Sequence, residues 1–339
     1  MNRQPDKPDR LSECAGLSVA GSGWLMLSGQ SAPARLPDRL DRGRLSIELS
    51  WPLPQDVLLD WQAGEQTLSL FHHPRTGLAL LWREGECALR LRLAAPLPCT
   101  TRAARLDLSW EAGAWSLRLE DAAGREIARA RPPRGQPPAG LPGAALAALC
   151  RGDGIRRRDL SVLWFGLSDG VLPARSPWIG RATPIDTPAG PVAAGALQTG
   201  DWIFTRDAGP VRLRGVRHFE MPSRGSHAAV ILRAPWFARR ADLLVSADQM
   251  IALRGSEIEY LFDSEEIVVA AGSLIDGKAA LADQRRDTTP CLALDTGGPH
   301  LIEADGCCLM ATGPAEAPAR VLEDYEALSL LSALARMRP

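Results

Sequence analysis

The 339-residue chain has almost no net charge: 39 Lys and Arg stand against 40 Asp and Glu, giving −1. That balance removes the electrostatic basis for nucleic acid or an anionic membrane as a general partner. The basic runs, Arg156-Arg157-Arg158 and Arg285-Arg286, are short and read as solvated loops. Nowhere do ~18 apolar residues run together, so no membrane-spanning helix is expected. The opening MNRQPDKPDRLSECAG lacks an apolar stretch, so residues 1–14 read as a disordered lead and not as a secretion signal. The expected location is the cytoplasm, or the exterior by a leaderless route or as part of a particle. Histidine is scarce at five, and His72-His73, the one adjacent pair, has no cysteine or carboxylate cluster beside it. That excludes a zinc site, and no metal or other cofactor is expected. The seven cysteines are odd in number, and Cys14, Cys87, Cys99 and Cys150 lack metal-like spacing. Cys307-Cys308 are adjacent, which is poor geometry for a mutual disulfide. Reduced, mostly buried thiols are expected.

What the chain does have is alternation. Leu45, Ile47, Leu49 and Trp51 are spaced by polar residues, as are Leu89, Leu91 and Leu93, then Leu106, Leu108 and Trp110, then Trp115, Leu117 and Leu119. Period-two patterns put one face on a core and the other in water. Many such strands between turn signals predict an antiparallel, jelly-roll-like β-sandwich over residues 15–172, closing with a strand at Asp159–Leu167. Residues 129–143, rich in Pro, Gly and Arg, read as a long loop followed by a short helix at 144–150. Strands resume over 173–318: Trp202–Thr205, Val211–Val216, Ala229–Leu232, Leu243–Val245, Met250–Leu253, Ile267–Ala270, Leu292–Leu294 and Cys308–Met310. The chain ends in a helix over 319–339, where Leu322, Tyr325, Leu328, Leu331 and Ala335 follow helical spacing from Arg320 to Met337. The class expected is all-β with a C-terminal helix.

Several motifs in the second half occur in a telling order. Thr187-Pro188-Ala189-Gly190 precedes Leu197-Gln198-Thr199-Gly200-Asp201-Trp202-Ile203-Phe204-Thr205-Arg206-Asp207-Ala208-Gly209. Then come Asp242-Leu243-Leu244-Val245-Ser246-Ala247-Asp248-Gln249, Val268 to Gly277, Cys291-Leu292-Ala293-Leu294-Asp295, and His300 to Gly306. From about Trp178 to Met310 the chain resembles a bacterial Hint (hedgehog/intein) domain. The terminal Tyr325-Glu326-Ala327 lies where such proteins carry a helix. The first half loosely resembles laminin-G and concanavalin-like sandwiches, through Gly77-Leu78-Ala79-Leu80-Leu81-Trp82, Arg105 to Trp110, and Trp115.

The Hint resemblance implies acyl-shift chemistry at particular positions. A Cys or Ser at the first position attacks the preceding carbonyl, and a His in the Ser/Thr-x-x-His block protonates the departing amine. Here the first position is Trp178, which has no nucleophile, and the histidine position is Gln249, which cannot shuttle a proton. The His of the later strand is replaced by Cys291, while Ser246 and Asp295 match the family. Ser176, before Pro177, is the candidate rescue nucleophile, in a restricted backbone setting. The resulting expectation is a non-catalytic binding or assembly protein with a degenerate Hint domain, whose partner is another protein or a second copy. The alternatives are an active self-cleaving Hint protein and a carbohydrate-binding module using the ten tryptophans. His300 and His72-His73 are expected in exposed loops.

Overall fold

The computed structural model describes residues 23–30, 36–97, 103–111, 113–121, 124–132, 138–170, 177–313 and 316–336. The architecture is all-β with a C-terminal helix. In the first half two antiparallel sheets face each other. One runs in the order Trp24–Leu27, Val162–Ser168, Arg42–Ser50, Ala103–Glu111, Ala114–Asp121, Glu126–Ala130. The other runs Ile155–Arg158, Asp56–Ala63, Gln66–His73, Gly77–Glu84, Cys87–Leu93. The alternating leucines explain the packing: Leu45, Ile47, Leu49, Leu106 and Leu108 meet Leu68, Leu70, Leu80 and Leu91 in one buried cluster. Trp61 stacks on Trp82 at 5.9 Å and Trp110 on Trp115 at 5.4 Å, so the indoles fill the space between the sheets. The helix Gly143–Arg151 docks Leu146 and Leu149 onto the same core.

The second half carries two larger sheets. A six-stranded one orders Gly215–Pro222, Thr288–Asp295, Ile179–Gly180, Leu243–Val245, Ala229–Leu232, Ala280–Asp283. A seven-stranded one orders Gly209–Arg212, Trp202–Thr205, Leu301–Ala304, Cys307–Met310, Met250–Arg254, Glu266–Ala270, Arg320–Val321. Their shared core holds Ile179, Ile203, Val230, Leu243, Val245, Ile251, Val269 and Leu292.

Several local expectations are corrected. The terminal helix starts at Asp324, because Arg320–Val321 instead adds a parallel strand to Glu266–Ala270. The expected strand Val211–Val216 is two strands, Gly209–Arg212 and Gly215–Pro222, which belong to different sheets. His72 and His73 end a strand, where cross-strand pairing with Leu78 and Gly77 overrides the loop signal of Pro74. The helix Ser256–Phe262 spans about two turns, too short for its apolar spacing to stand out in the sequence. Trp51 falls just beyond its strand.

Candidate functional site

The short strand Ile179–Gly180 sits between two neighbours, with Ile179 opposite Val245 on one side and Leu292 on the other. This threads Trp178 into the interior of the six-stranded sheet. Trp178 is 5% exposed and packs with Phe219, Ala229, Cys291 and Ala293. Its backbone is tied both ways to Ser246. The Ser246 N–H donates to the Trp178 carbonyl at 2.9 Å, and the Trp178 N–H donates to the Ser246 hydroxyl at 3.2 Å. Ser246 is thus occupied as a strand clamp.

Gln249 lies in the turn after Leu243–Val245 and is buried. Its side-chain amide donates to the Met310 carbonyl at 2.8 Å and to the Met250 carbonyl at 3.0 Å. Beside it is a cavity of about 10 Å³ between Pro177, Ile179, Gln249, Leu292 and Met310. Such a space holds one water at most, and its apolar walls offer that water few partners. This cavity is too small for a substrate.

Cys291 is fully buried, and its Sγ contacts the Phe219 carbonyl at 3.5 Å. Burial, with Glu220 nearby, pushes this thiol well above the ordinary cysteine range, so it is not a thiolate nucleophile. Asp295 is exposed and four residues further along the same strand, about 13 Å away at the usual rise. Its carboxylate accepts the Gly297 N–H at 2.8 Å, which caps the turn leaving the strand. The structure therefore brings Ser246 and Cys291 to Trp178, sets Gln249 beside Ile179 and Leu292, and holds Asp295 apart. Ser176 lies outside the described residues.

His300, expected in an exposed loop, is held by a partner. His300 Nδ1 lies 2.8 Å from Asp207, whose other oxygen accepts the Leu301 N–H at 2.8 Å. The Asp207 in the Thr-x-Asp-x-Gly motif was the available signal. Among the described residues no group of three His, Cys, Asp or Glu is placed to hold a metal ion. No described helix is long and apolar enough to cross a membrane.

Residues 180–309 match the Hint domain family model. No curated protein matches the chain. Among solved structures, domains LG4-5 of the mouse laminin alpha1 chain align over 89% of this chain and 82% of theirs, at 9% identity and a TM-score of 0.21. A likeness at that score carries no functional argument. With the matched segment lying wholly in the second half, the conclusion is that the C-terminal half of this chain carries a Hint domain.

Proposed function

We propose that this is a non-catalytic binding or assembly protein, in which residues 173–318 keep the Hint scaffold without its acyl-shift chemistry. In this reading residues 15–172 form the sandwich domain and 319–339 the terminal helical segment. The observation that carries it is the state of the first position. An acyl shift needs a nucleophile free to reach the preceding carbonyl, and a group to protonate the leaving nitrogen. Trp178 instead is a buried core residue whose N–H is bonded to Ser246. The side-chain amide of Gln249 is committed to two backbone carbonyls beside a cavity too small for reactants. A carbohydrate-binding role for the sandwich finds no such support. Trp24, Trp61, Trp82, Trp110, Trp115 and Trp164 are buried and Trp51 is half-buried, so among the described residues of that half no row of open indole faces is offered for stacking on sugar rings. The partner is accordingly another protein or a second copy of the chain.

The test is the intact mass of the purified full-length chain after prolonged incubation, alone and with thiol or hydroxylamine. A single full-length species is expected. A fragment cut near residues 175–178, lost again in Ser176→Ala, would establish self-processing and overturn the proposal.

A further inference from the structure

The outer face of the six-stranded sandwich sheet is charged, yet much of it is buried. Across neighbouring strands Glu48 stands opposite Arg105, Ser46 opposite Asp107, and Arg105 opposite Glu120. Arg105 is held by Asp107 at 3.3 Å and by Glu120. Glu48 is 1% exposed, and its carboxylate accepts the Trp164 indole N–H at 2.8 Å. These groups are fixed by the sandwich itself.

What completes their bonding comes from the Hint half. The Gly225–His227 turn inserts at this point. The Ser226 N–H donates to both Glu48 oxygens at 2.9 and 3.0 Å, and its hydroxyl to Oε2 at 3.0 Å. Gly225 has φ +54, and a Cβ there would fall on the Glu48 carboxylate, so the approach requires glycine. The His227 ring meets Trp24 and Trp164 edge-on at 6.0 and 5.7 Å. Its Nε2 lies 3.0 Å from Arg105 Nη1, and because a guanidinium only donates, the imidazole nitrogen accepts. Arg224 binds the Ser28 carbonyl on the sandwich and Asp287 on its own half. Behind the turn, Ser223 is anchored to Thr289 in the Hint sheet.

We propose that the Gly225-Ser226-His227 turn is a docking key for a receptor built from Glu48, Arg105, Trp24 and Trp164. It makes the Hint domain a lasting non-covalent partner of the sandwich, so the two halves stay together when the chain between them is cut. Partial opening would leave the Glu48 carboxylate without the Ser226 donors before water can replace them, which is costly. Separation must therefore remove several bonds together, which favours a slow off-rate. The inference does not depend on whether the Hint domain cleaves itself, since it concerns the association of the two fragments after any cut.

The experiment uses the full-length chain with residues 171–176 replaced by the recognition sequence of a site-specific protease. After cutting, size-exclusion chromatography and native mass spectrometry at low micromolar concentration should show a one-to-one complex of the two fragments. In Gly225→Val the cut fragments should separate, with affinity weaker by about a hundredfold or more. Each separated fragment should keep its own cooperative melting transition. Ser226→Ala, which removes one hydroxyl donor and little else, should weaken the complex by about tenfold. It serves in place of Gly225→Val if that chain does not fold. Separation of the parent fragments, or variant fragments that bind as tightly as the parent, overturns the inference.

Discussion

Ser246 and Trp178 clasp each other: the Ser246 N–H donates to the Trp178 carbonyl at 2.9 Å, and the Trp178 N–H donates to the Ser246 hydroxyl at 3.2 Å. In the proposed reading Trp178 stands where a processing Hint domain needs a residue free to react. Its backbone is hydrogen-bonded to Ser246, and its side chain packs with Phe219 and Cys291.

Trp178→Cys restores a nucleophile type but removes a buried indole. It should destabilise the protein by about 3–5 kcal/mol, the usual cost of emptying a large aromatic site. It should also yield no thiol-dependent cleavage, because Gln249 supplies no proton. Urea denaturation measures the first outcome and intact mass the second. A stable variant that releases a fragment with thiol would show that chemistry needs only the missing sulfur.

Gln249→Leu tests whether the amide at this position is structural. The substitution keeps the volume and removes two donors from the Met250 and Met310 carbonyls. A loss of about 1–3 kcal/mol is expected, read from the denaturation midpoint at constant m. An unchanged midpoint would mean that these carbonyls find other partners.

Much of this was legible in the sequence because strands with one buried face announce it by alternation. Leu89, Leu91 and Leu93 face the core as their spacing requires, and Arg90 and Arg92 face out. The same rule misled at Ser46, Glu48, Arg105 and Asp107, where alternation placed polar side chains in water and the structure buries them. Only the pairing register puts Glu48 beside Arg105, and register is a long-range property. The Gly225 turn that covers Glu48 lies 177 positions along the chain (225 − 48), with no local signal linking the two. The Hint motifs were visible because turns and short strand blocks are local. The strand at Arg320–Val321 was hidden, because its pairing with Ile267 and Val268 is decided by tertiary contact and its leucine spacing suits a helix.

The thiols should be chemically quiet in the native state. Burial pushes Cys150 and Cys307 up to about 12, and it raises Cys291 and Cys308 as well. At pH 8 almost none of these four is thiolate, and a thiolate is what reacts. With a disulfide-exchange reagent at pH 8, the half-buried Cys87 should react and these four should stay silent until denaturant is added. Fast native modification of Cys291, located by peptide mapping, would contradict its enclosed position.

Acid should weaken the Hint half first. Burial would raise Asp276, but the N–H groups of Ala280, Lys278 and Ala279 outweigh it and hold the carboxyl below the usual aspartate range. Asp305 is lowered in the same way by Ala241 and Arg240, and Asp207 by Leu301 and His300, again against burial. The Arg285 side chain lowers Asp283. For each, the folded pKa lies below the unfolded one, so its stabilising contribution is complete above about pH 4 to 5. It is lost as pH falls through the folded value. Asp186, raised by burial and by Glu303 and Asp305, works in the opposite sense, but it is one group against four. The melting temperature should therefore be flat from pH 7 to about 5 and fall below about 4. Asp276→Asn keeps an acceptor for the same N–H groups without the charge. It should lower the melting temperature at pH 7 and flatten the acid limb, so that the two curves converge as the pH falls. Parallel curves would show that Asp276 is not part of the acid response.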